Sequence, residues 1–175
     1  MIGSGSVRFA MVGALPLLFI LSIAAAAQTL SLDIRVASGN DDAEESLSGS
    51  MPRSCSDLEL ADDGTRRPNQ TIAMRFLGIP PGSKILNAHV QFQVDESDSG
   101  AVDLVIRGQA SGVPAAFSSS SGDITSRPVT TASVAWSPPP WTSIGAAGVD
   151  QRTPDLAEIL RRSSSCPTGR QATRW

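Results

Sequence analysis

The chain has no tyrosine, one histidine and one lysine in 175 residues, and only two cysteines. Each scarcity removes a class of function. His89 with Cys55 and Cys166 supplies too few soft ligands for a tetrahedral zinc site. A Ser-His-Asp triad would have to use His89, and no G-x-S-x-G segment provides the turn that exposes a nucleophilic serine. Basic residues are outnumbered, 14 against 17 acidic, and form no dense block, so a nucleic-acid partner is disfavoured. After Ala27 no apolar run is long enough to span a bilayer. Two cysteines allow one intrachain bridge, Cys55–Cys166, and spacing alone does not show that it forms.

What is present begins with an export signal. Arg8 precedes an apolar run from Phe9 to Ala27, interrupted by Pro16 and ending in alanines. That order of charged, apolar and small residues is the pattern of a secretory signal peptide over residues 1–27, cleaved after Ala27 with Ala25 at −3. The rival reading is an uncleaved anchor, since the run is just long enough to cross a membrane. Cleavage leaves 148 residues, Gln28 to Trp175, enough for one domain with a core. The expectation is a secreted, extracellular monomer, free of the membrane once processed. Secretion permits disulfides and gives meaning to the sequon Asn69-Gln70-Thr71, a glycosylation site on an exposed turn.

Period-2 alternation runs through the mature chain. "SLDIRVA" (31–37) sets Leu32, Ile34 and Val36 against Asp33 and Arg35. "SDLEL" (56–60), "QTIAMRF" (70–76), "ILNAHVQFQV" (85–94), "VDLVIRG" (102–108) and "TASVAW" (131–136) repeat the pattern. Turn residues separate them, as in Asp62-Asp63-Gly64, Pro80-Pro81-Gly82 and Ser97-Asp98-Ser99-Gly100. Short strands between turns predict an all-β fold, a sandwich or a barrel. One helix is predicted in "TPDLAEILRR" (153–162). Thr153 can cap it, Pro154 and Asp155 suit its first turn, and Leu156, Ile159 and Leu160 form its apolar stripe.

The order of these segments resembles a known family. "RVASGNDDAEE", "SDLEL", the continuous "IPPGSKILNAHVQFQVDE", "VDLVIRGQ", "ITSRPVTTASVAWSPPPWTSIG" and "DQRTPDLAEIL" are similar to DNRLRE-like, or disaggregatase-related, secreted domains. The resemblance covers about residues 35–160. It implies a jelly-roll-like antiparallel β-sandwich over residues 28–160 with one short C-terminal helix. It further implies a non-catalytic module that binds extracellular or cell-wall polysaccharide. The alternative is a structural or adhesive surface domain without sugar specificity. The family pattern continues into an apolar strand, whereas residues 161–175 ("RRSSSCPTGRQATRW") are basic and serine-rich. They are expected to be an irregular tail at a truncated end.

Candidate binding residues follow from chemistry. Asp41, Asp42, Glu44 and Glu45 crowd five positions. Counted from Asp41, position six is Ser46 and no glutamate stands at twelve, so the run is not an EF-hand. It reads first as a solvated loop at a sheet rim. Second, it reads as part of a structural calcium site completed from other loops, with Asp62, Asp63, Asp95 or Glu96. Asp95 and Glu96 fall on opposite sides of a strand, which argues against a paired-carboxylate hydrolase. Trp141, after Pro138-Pro139-Pro140, is the aromatic most open to stacking on a sugar, although a structural plug fits it as well. Arg75 and Arg107 lie on polar faces of predicted strands and could present guanidinium forks to uronate or sulfate groups. Their alternative role is cross-strand pairing with acids.

Overall fold

The computed structural model describes residues 29–51, 58–60 and 70–164. The signal segment, Cys55, Cys166, Asn69, Asp62, Asp63, Trp175 and the tail beyond Ser164 lie outside the described residues. The chain divides into two compact units, Met1–Ser31 and Leu32–Trp175, and the second holds all the regular secondary structure among the described residues.

This unit is a small β-rich fold with two separate antiparallel pairs. β1 (Asp42–Glu45) pairs with β2 (Thr71–Met74), and β3 (Leu104–Gln109) with β4 (Val129–Trp136). One helix, α1 (Ala157–Ser164), closes the described chain.

β2 is the strand that "QTIAMRF" predicts, built on the β-branched pair Thr71 and Ile72. Its partner is a surprise, because β1 is the acidic sequence DAEE, a poor strand former on propensity alone. Tertiary contacts override that propensity. In the register Ala43 faces Ala73, and these two small side chains pack on a cluster of Met51, Phe117 and Ile124. The carboxylates on either side of Ala43 meet hydrogen-bond donors brought in from distant loops.

The second pair follows its pattern closely. Leu104 lies opposite Trp136, Ile106 opposite Val134 and Arg107 opposite Ser133. Val105 and Arg107 face solvent while Leu104 and Ile106 are half-buried. After Arg107 the register shifts, so that Gln109 meets Val129. At this bulge the Gly108 amide donates to the Thr130 hydroxyl (3.2 Å), which replaces a ladder bond. Gly108 also lets the helix approach. A Cβ placed there would meet Ile159 Cγ2 at 2.7 Å and would collide with the Ser163 hydroxyl. α1 lies against β3 and β4, with Leu156, Ala157 and Ile159 buried.

Three predicted strands differ from expectation; of "SDLEL" only residues 58–60 are described, and they are not in a strand. Residues 85–94 do keep their two faces, with Ala88, Val90 and Phe92 half-buried, Val94 buried, and His89, Gln91 and Gln93 exposed. They form no regular ladder. Their backbone instead bonds to the irregular segment 145–156: Leu156 N to Ala88 O (2.7 Å), Thr153 N to Val90 O (3.0 Å), Phe92 N to Gln151 O (2.9 Å) and Val94 N to Ala146 O (2.9 Å). A single bridge, Gln91 with Arg152, is strand-like. The segment 31–37 is not in a ladder either, and Leu32 is 48% exposed.

The helix starts later than its sequence signals. Thr153 does not cap it, because its hydroxyl accepts from the Val90 amide (3.0 Å). Asp155 takes that role: its Oδ1 accepts from the amides of Ala157 (2.9 Å) and Ala88 (2.9 Å). Those two amides hold the Asp155 carboxyl below its ordinary range. The helix runs on through Ser164, so the residues assigned to the tail begin as helix. Glu158 pairs there with Arg162 (2.9 Å) and Arg161 (3.3 Å), and Arg162 and then Arg161 lower its carboxyl. Among the described residues no helix is long and apolar enough to cross a membrane.

Candidate functional site

The acidic run is not a solvated loop. Asp41, Glu44 and Glu45 are buried to 2%, 5% and 2% residual exposure. Buried carboxylates persist only where donors or cations satisfy them, and each of these has found its own.

Asp41 closes a turn, its amide bonding to Ser38 O (2.8 Å). Its Oδ1 receives Arg75 Nε (2.5 Å) and Nη2, and its Oδ2 the Ser38 hydroxyl (3.0 Å). Burial alone would push this carboxyl up, but the Arg75 and Ser38 contacts outweigh it and hold it below the ordinary value. Arg75 Nη1 continues to Pro114 O (3.2 Å), so the ion pair reaches the 111–117 segment.

Glu45 works differently. Its Oε2 accepts from the amides of Ile124 (2.7 Å) and Thr125 (3.0 Å), and its Oε1 from the Thr125 hydroxyl. A carboxylate gathering adjacent amides in a tight turn is the geometry of a helix N-cap, supplied here from 80 residues away in sequence. Glu44 points elsewhere. Its Oε1 accepts from the Glu59 amide (2.6 Å), while Gln70 Nε2 donates to Glu59 O (2.6 Å).

Asp41, Glu44 and Glu45 therefore bind three different sets of partners, and no group of three or more His, Cys, Asp or Glu able to hold a metal gathers among the described residues.

The sequence pointed to Arg75 and Arg107 as a common surface, and the structure separates them. Arg75 follows β2 and binds Asp41; Arg107 sits on β3, exposed, with no ion pair among the described residues. Beside Arg75 lies a groove of about 280 Å³ lined by Phe76, Leu77, Ile79, Val113 and Pro114. Trp141 is half-buried rather than presented. Its ring packs against Phe92 (5.9 Å between centroids) and Trp136 (6.2 Å), and its Nε1 donates to Asp150 O (3.1 Å). Phe92 stacks on Trp136 at 5.7 Å, completing a triad. That arrangement suits the plug better than the platform. His89 is exposed with Nδ1 3.1 Å from Thr153 O.

Sequence reasoning missed Arg127. Its guanidinium lies 4.5 Å over the Phe117 ring and donates to the carbonyls of Asp123, Ala115 and Ala116. It also pairs with Asp123 Oδ2 (2.9 Å). The amide of Ser118, with Arg127, holds the Asp123 carboxyl below its usual value against the opposing effect of burial. The spacing Asp123-x-x-x-Arg127 was visible, but in a serine-rich loop it carries no signal of burial.

No protein-family model, curated protein or solved structure matches this chain.

Proposed function

We propose that the chain is a secreted, non-catalytic β-sandwich module that binds an acidic extracellular polysaccharide. The supporting observation is the outward face of β3 and β4. Arg107 is exposed there without an ion partner among the described residues, opposite Ser133 and near Thr131. A guanidinium fork set among hydroxyls suits a uronate or sulfate group, and a flat sheet face suits an extended polymer. The sandwich part of this reading rests on the resemblance read in residues 35–160, and two antiparallel pairs are strands that such a fold would contain.

A second reading is a structural or adhesive surface domain. It is favoured by the internal use of Asp41, Glu44, Glu45, Arg75 and Trp141, which leaves little chemistry at the surface. Affinity electrophoresis of the secreted chain in gels containing polyuronate, sulfated or neutral polysaccharide separates the two. Binding predicts retardation by the acidic polymers, weakened by salt and abolished by Arg107→Ala with the melting temperature unchanged. No retardation in any gel rejects glycan binding and leaves the structural role.

A further inference from the structure

The segment Leu32–Val36 has the alternation of a half-buried strand, and no strand pairs with it among the described residues. Its backbone makes no hydrogen bond to any other described residue. Asp33 and Arg35 are exposed, Leu32 is 48% exposed, and Ile34 and Val36 are half-buried. An extended, unpaired segment with one apolar side is a template for another strand.

The order of residues specifies which strand. When a second copy lies antiparallel about a two-fold axis at Ile34, Leu32 falls opposite Val36 of the second copy. Asp33 then falls opposite Arg35 of that copy, and each contact occurs twice. Directly opposed residues share a face, so the apolar trio Leu32, Ile34 and Val36 meets its equivalent and the charges meet opposite charges. Parallel pairing would instead oppose Asp33 to Asp33 and Arg35 to Arg35, which is repulsive. We infer that the chain self-associates through Leu32–Val36 as an antiparallel, two-fold symmetric strand pair. The proposal replaces the expectation of a monomer and is independent of any glycan.

The contact is short, well below the roughly 1,200 Å² of a stable interface, so a weak, concentration-dependent dimer is expected. The test is sedimentation velocity over a concentration series on the full chain recovered from a secreting host, with its N-terminus identified by mass. The wild-type chain should shift from one to two copies. Asp33→Arg opposes like charges twice and should weaken association about tenfold, as should Arg35→Asp. The two variants mixed restore both charge pairs and should associate like wild type, as should the double variant Asp33→Arg/Arg35→Asp. Both positions are exposed, so the substitutions leave the fold intact. A wild-type chain that stays single throughout, or association indifferent to these reversals, overturns the proposal. Association driven by a retained N-terminal apolar run would show that indifference.

Discussion

Arg75 and Asp41 meet just past the paired ends of β2 and β1, with Nε and Nη2 of the guanidinium on one carboxylate oxygen and the Arg75 amide on the Asp41 carbonyl (2.6 Å). The pair extends the β1–β2 ladder by one step and, through Pro114 O, fastens it to the loop carrying Phe117. Removing one partner leaves the other charge unsatisfied. Arg75→Ala should therefore lower the thermal midpoint clearly, whereas Arg107→Ala should leave it unchanged. Arg75→Lys should recover only part of the loss, since an ammonium lacks the planar fork. Circular dichroism melts of the three variants check the order.

Glu45→Ala would orphan the amides of Ile124 and Thr125 and the Thr125 hydroxyl beneath β1. The expected cost is about 2–4 kcal/mol in urea unfolding. Glu45→Gln keeps one acceptor oxygen and should fall between that variant and wild type.

Gly108→Ala should cost about 1–3 kcal/mol, because its methyl group would press on Ile159 and Ser163 of α1. Hydrogen exchange should show the loosening first in the helix amides and in the β3–β4 amides around the bulge.

Trp141→Ala tests plug against platform. Its contacts with Phe92 and Trp136 predict a loss of about 1–3 kcal/mol and a red-shifted emission from Trp136. Lost polysaccharide retardation with unchanged stability and emission would instead make Trp141 a binding surface.

Acid should loosen the fold. Asp41, Asp123 and Asp155 all have carboxyls depressed below the ordinary value of 3.8. Above that value the chain is ionised both folded and unfolded, and the contribution of these groups is complete. As pH falls below 3.8 the unfolded chain takes up protons first, and the contribution is lost down through the folded values. The urea midpoint should therefore be flat from neutral to about pH 5 and fall steeply below pH 4, apart from other groups. In the Asp41→Asn variant the fall should be shallower.

The strands β3 and β4 were legible because their apolar and polar residues alternate, whereas their pairing was not read from the sequence. Leu104, Ile106 and Val134 turned inward as their period-2 spacing predicted. The helix was legible in its stripe, Leu156 and Ile159, but not in its cap. Asp155 outcompeted Thr153 once residues 88–90 had come alongside, a contact spanning more than 60 positions.

The acidic run shows where local reading ends. Its composition is that of a wet loop, and nothing within ten residues reveals that Arg75, Ile124 and Thr125 will arrive as donors. Burial of a carboxylate depends on partners brought in by long-range folding, and neither propensity nor spacing encodes them. The sequence by itself determined a β-rich chain with one C-terminal helix and set the inward side of its clearest strands, because periodicity is a local property. Only the tertiary structure decided that the acids hold loops together and that Trp141 packs against the stacked pair Phe92 and Trp136. It also decided that Leu32–Val36 finds no strand partner among the described residues, since each of these outcomes depends on which distant groups share a space.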